Sequence, residues 1–191
     1  MGITISKQQL SELEKVIFDG DIIEIDHPEE VADAVNFLST HKAIGFDTET
    51  KPAFKRGQVH NVALLQLATE DKCFLFRLNK IGYPIEIEEL ICDEKVKKIG
   101  LSLRDDFAAL RKRTGKKPQN FLDLQLFVDK FGIEDNSLQK IYAILFGEKI
   151  SKNQRLSNWE AANLSPAQQS YAAIDAWACL KIYNHLTKQS R

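Results

Sequence analysis

The chain has 191 residues, 43% of them hydrophobic and 28% charged, and its 26 Lys and Arg against 27 Asp and Glu give a formal net charge of −1. That length suits one domain, and the composition excludes a disordered or collagen-like chain. The near-neutral balance excludes a globally basic nucleic-acid coat while leaving room for a local basic patch, and no apolar run approaches the ~20 residues of a membrane span, so no membrane is expected as partner.

The N-terminal stretch MGITISKQQLSELEKV has no basic start followed by a long apolar segment, so no secretory leader is expected. Residues 1–24 read as an N-terminal arm or helix ahead of a single domain at 25–191, with Ile22–Ile25 a short strand candidate at the junction. His27-Pro28-Glu29-Glu30 opens a helix running to about Thr40, with Pro and acids in its first turn. Strands are expected at Ala43–Thr48, Asn61–Ala68, Cys73–Leu78 and Lys97–Leu103, with a loop marked by Pro52 and Gly57 over Lys51–His60. Asn61–Ala68 is nearly all apolar, as a strand buried on both faces would be. Helices are expected at Pro84–Cys92, Arg104–Arg113, Phe121–Phe131, Ser137–Phe146 and Ser165–Leu186. The order implies an α/β fold, a mixed sheet covered by helices.

Cys73, Cys92 and Cys179 lie far apart and form no cluster with His27, His41, His60 or His185. Zinc chemistry is not expected, and the thiols fit the reduced cysteines of a cytoplasmic protein.

The informative residues are carboxylates inside apolar segments. Asp47 and Glu49 end the strand GFDTE, and residues two apart on a strand share a face. Like charges that close repel unless a cation lies between them, and hard divalent ions prefer oxygen ligands. Asp105 and Asp106 follow the strand KKIGLSL at the mouth of a helix, where acids also serve as caps. Tyr171 and Asp175 sit one turn apart on the last helix among alanines, where an unpaired Asp would be costly to bury.

These three sites, carried by IGFDTET, KIGLSLRDDFAAL and SYAAIDAWACLKIY, resemble in order and spacing the DEDD superfamily of 3′–5′ exonucleases in its tyrosine subclass. Within it the chain is most similar to the Werner-syndrome-protein-like exonuclease domain and more distantly to ribonuclease D, over about residues 25–188. The resemblance implies a ribonuclease H-like mixed sheet flanked by helices and metal-dependent hydrolysis of nucleic acid from a 3′ end, releasing nucleoside 5′-monophosphates. By position, Asp47, Glu49, Asp106 and Asp175 are the expected ligands of two divalent ions, Mg²⁺ or Mn²⁺, and Tyr171 orients the attacking water. Asp106 is preferred to Asp105 because the motif's Asp stands four residues before an apolar position, here Leu110. Asp123 is a further acid that supports the site or caps a helix.

The expected partner is a single-stranded or recessed 3′ end, DNA favoured over RNA. An exoribonuclease maturing RNA 3′ ends, or a non-catalytic nucleic-acid-binding module on the same fold, are the alternatives. Basic groups at 104–117, at Lys149, Lys152 and Arg155, and at Lys51, Lys55 and Arg56 could contact phosphates. Substrate contacts are expected at Thr48, Phe54, Arg104, Phe107, Lys152 and Arg155, the phenylalanines as stacking surfaces or core.

Overall fold

A computed structural model describes residues 2–189, Thr114 by its backbone alone. The first helix, α1 (Lys7–Glu12), is capped by Ser6, whose hydroxyl accepts from the Gln9 amide at 3.2 Å while Gln9 Oε1 accepts from the Ser6 amide at 3.0 Å. This reciprocal pair satisfies donors that the first turn leaves open.

Six strands among the described residues form one sheet: β1 (Asp21–Ile25), β2 (Ala43–Thr50), β3 (Val62–Ala68), β4 (Lys72–Phe76), β5 (Lys97–Gly100) and β6 (Phe121–Asp123), in the order β1-β4-β3-β2-β5-β6. The β2–β3 and β3–β4 pairs are antiparallel, and the β1–β4, β2–β5 and β5–β6 pairs are parallel. The sheet is therefore mixed, as the alternation of strands and helices implies. Every residue of β3, VALLQLA, is buried because helices cover both faces.

On one face α2 (Val31–Ser39) and α4 (Ile85–Cys92) pack around Ile44, Phe46, Leu65 and Leu67. On the other lie α7 (Leu138–Phe146) and the long α8 (Pro166–Gln189), over Leu64, Ala68 and Ile99. The helix α8 comes very close to β2. A Cβ on Gly45 would overlap the backbone carbonyl of Ala176, so glycine and alanine at the crossing let the helix backbone rest on the strand.

Four expected elements differ. The strand expected over Cys73–Leu78 stops at Phe76, and Leu78 opens the short helix α3 (Leu78–Ile81). Between them Arg77 is wholly buried, donating to Glu24 Oε1 at 2.5 Å and to the Ala161 carbonyl. The strand expected over Lys97–Leu103 ends at Gly100, because Ser102 takes a positive φ of 59° and Asp123 accepts from the Ser102 and Leu103 amides at 3.0 Å each. The turn delivers the chain into α5 (Arg104–Thr114). The helix expected over Phe121–Phe131 begins instead with strand β6, whose Phe121 packs edge-on to Phe46 at 4.9 Å. Only then come α6 (Leu124–Val128) and a 3₁₀ turn at Asp129–Phe131, closed by Gly132 at φ 76°. Strand β2 also runs two residues past Thr48, so Glu49 lies within it.

The N-terminal residues are stitched to the body of the fold. Val16 and Phe18 are buried in the α8-side core, and bridges join Ile3 to Ile133 and Lys15 to Lys149. Among the described residues no helix is long and apolar enough to cross a membrane.

Candidate active site

Asp47 and Glu49 project from β2 on the face that carries Gly45, towards α8. Asp175 projects back from α8, one residue before the Ala176 that rests on Gly45. The close helix–strand crossing thus brings acids from distant stretches together. One carboxylate oxygen from each of Asp47, Glu49 and Asp175 lies within 4.8 Å of the other two.

Burial and mutual repulsion govern their protonation. Loss of water holds Asp47 well above the usual carboxylate range, and the charges of Asp175, Glu49 and Asp106 add to the effect. Glu49 is pushed up to about 8 by burial first, then by Asp175 and Asp106, against a lowering pull from Arg155. Asp175 is 8% exposed and is raised by burial, opposed by the Tyr171 hydroxyl one turn away and by Lys152. The Tyr171 hydroxyl is itself pushed up by burial and by the facing acids, so it stays protonated and able to donate. A trio of hard oxygen donors that resist ionisation together is the donor set a hard divalent cation fits.

Asp106 stands beside this trio, outside the 4.8 Å grouping. It lies in the first turn of α5 and accepts a short hydrogen bond from the Thr48 hydroxyl. Burial raises it and Thr48 lowers it. Its neighbour Asp105 is exposed, so the helix turns Asp106 inward. Thr48, expected at the substrate, is here the partner of an acid. Asp123 does its work on backbone: besides the Ser102 and Leu103 amides it accepts from Gln125 at 3.0 Å, capping α6 and anchoring the turn ahead of α5.

Among the other expected contacts, Lys152 and Arg155 line the acid pocket, a cavity of about 340 Å³ that also includes Asp47, Tyr171 and Asp175. Phe54 is 80% exposed on the loop between β2 and β3. Both feet of that loop meet Glu160, Lys51 at 3.3 Å and His60 at 3.4 Å. Arg104 is exposed at the start of α5. Phe107 is half-buried and packs edge-to-face with Phe121, their ring centres 4.9 Å apart. Parts of the basic runs are structural: Arg113 donates to the Val62 carbonyl at 2.6 Å, Lys116 pairs with Glu88, and Lys149 donates to the Ser11 carbonyl. Trp159 is fully buried beside the Tyr171 ring, at 6.0 Å.

The opposite wall of the pocket escaped the sequence reading. Ser102, Gln125, Asn136, Ser137 and Gln139 also line it with polar side chains. They are ordinary polar residues in their local sequence, and only the tertiary fold gathers Ser102, from the turn ahead of α5, with the others from residues 125–139.

A profile described as 3′–5′ exonuclease matches residues 22–191. The chain is 32% identical over 155 residues to the mouse (Mus musculus) bifunctional 3′–5′ exonuclease/ATP-dependent helicase WRN, covering 78% of this chain and 11% of that protein. It is 34% identical over 157 residues to exonuclease 3′–5′ domain-containing protein 2 of Drosophila melanogaster, covering 80% of this chain and 27% of that one. The chain thus spans roughly a tenth and a quarter of these relatives' lengths. The fold superposes on the Nibbler EXO domain of Aedes aegypti with a TM-score of 0.80 at 23% identity, over 91% of this chain and 92% of that one. The matched span contains every acid of the pocket, and on that ground the chain belongs to the 3′–5′ exonuclease family of nucleases.

Proposed function

We propose that the chain hydrolyses phosphodiester bonds one nucleotide at a time from the 3′ end of a nucleic acid, DNA before RNA, releasing nucleoside 5′-monophosphates. The observation that carries this reading is the meeting of Asp47, Glu49 and Asp175 within 4.8 Å beside the Tyr171 hydroxyl. Asp47, Glu49 and Asp175, with Asp106 alongside, would hold two divalent ions, Mg²⁺ or Mn²⁺. When bound, such ions lower the pKa of a water and neutralise the departing 3′ oxygen. Tyr171 would orient the water, because a protonated phenol both donates and accepts. Lys152 and Arg155 would hold the phosphate against the acids, which they already face.

The test is a 5′-labelled single strand incubated with Mg²⁺ or Mn²⁺, as DNA and as RNA. Stepwise shortening with mononucleotide release supports the reading, and the faster substrate decides between DNA and RNA. Asp47→Asn should lower the rate by about three orders of magnitude, the several kcal/mol that metal-held chemistry supplies. An unshortened strand in both chemistries would defeat it.

A further inference from the structure

We propose that a second nucleic-acid contact lies at the opposite end of the sheet, in a groove of about 860 Å³ where the starts of β2 and β5 meet the end of α8. It deepens the reading above, on which the identity of its ligand rests. Lys42, Lys97, Lys130 and Lys188 line the groove, with the rings of Phe131 and Tyr183 and no acidic side chain. The four lysines come from four separate stretches, so no run in the sequence announces them. In a chain of net charge −1 this is a marked concentration of positive charge.

Lys42, Lys130 and Lys188 are exposed, and none of the four lysines joins an ion pair among the described residues. Lys97 rests over the Tyr183 ring, 5.5 Å from its centre. Phe127 links Tyr183 and Phe131 at 5.6 and 5.3 Å, making an aromatic floor between the cationic walls. Ammonium groups beside ring faces suit a strand that presents phosphates and bases together. An acidic peptide would use the lysines and leave the rings idle.

The groove is within reach of the acids. Ala43 lines it and Asp47 lies four residues further along the same strand, a span of about 13 Å at ~3.3 Å per residue. A dinucleotide at the acids would not reach the lysines, whereas a longer strand would engage both.

The test compares the wild type with the triple variant Lys42→Gln, Lys130→Gln, Lys188→Gln, all at exposed positions that leave the core untouched. Binding of a labelled DNA strand of about twenty nucleotides, and of a dinucleotide, is read by fluorescence anisotropy across a salt series without divalent ions. The variant should bind the long strand about tenfold more weakly, with a salt slope shallower by about 2, and the dinucleotide as before. An unchanged slope overturns the proposal, and so does equal weakening for the dinucleotide, which would mean a diffuse charge effect. Cleavage is scored separately: binding with the expected slope but no shortening upholds the groove and defeats the exonuclease, whereas shortening with an unchanged slope does the reverse.

Discussion

Three carboxylates that meet within 4.8 Å keep protons that the unfolded chain has already lost. For Glu49 the folded value is about 8 against 4.5 for the free side chain, and Asp47 and Asp175 shift in the same direction. Between those values the native state binds more protons than the unfolded one, so stability falls as pH rises. The part of the stability owed to this pocket is full below the unfolded pKa and is lost as pH climbs towards the folded one. The metal-free protein should therefore melt at a lower temperature at about pH 8 than at about pH 5, and Glu49→Gln should flatten the difference. Identical melting behaviour of variant and wild type across that range would count against the burial and mutual repulsion that raise Glu49. Thr48 offers a second test, since its hydroxyl donates to Asp106. Thr48→Val keeps the shape and removes the donor. It should weaken divalent-ion binding about tenfold by calorimetry, the usual cost of losing a partner that orients a ligand. Unchanged affinity would show that Asp106 needs no such support.

The decisive contact between elements is α8 on β2. Gly45→Ala would drive a methyl group into the Ala176 carbonyl, costing about 1–3 kcal/mol in urea denaturation as the helix moves away. Because α8 carries Tyr171 and Asp175, cleavage should drop further than stability does, and a fully active Gly45→Ala protein would contradict this geometry. Much at this scale was legible in the sequence. Apolar residues at helical spacing mark α2 because one face meets a core, and the unbroken apolar β3 marks a strand covered on both sides. Acids inside apolar runs stood out because an unpaired buried charge is so costly. The strand β6 did not show, since three residues are too few to display a period. Nor did the Ser102 turn, whose positive φ depends on an Asp123 carboxylate twenty-one positions away. The Thr48–Asp106 bond and the amide wall of Gln125, Asn136 and Gln139 are products of tertiary approach, invisible to local pattern.

For the molecule as a whole, Arg77 is a fastening point. Its buried guanidinium holds Glu24 of β1 and the Ala161 carbonyl, and Gln169 of α8 donates to the same glutamate at 2.9 Å. Arg77→Met should destabilise by about 3 kcal/mol in chemical denaturation, the low end for breaking a buried ion pair because Glu24 keeps partial access to water. A loss below the noise of the melt would mean that these segments are held by packing alone. The leading residues act on the same scale from the other end of the chain. The family match begins at residue 22, yet Val16 and Phe18 fill the core and Lys15 bridges Lys149, next to the Ile150 and Ser151 that border the acid pocket. A truncation starting at the family boundary would strip a buttress from the catalytic rim, so a trimmed fragment should lose turnover as well as resistance to proteases.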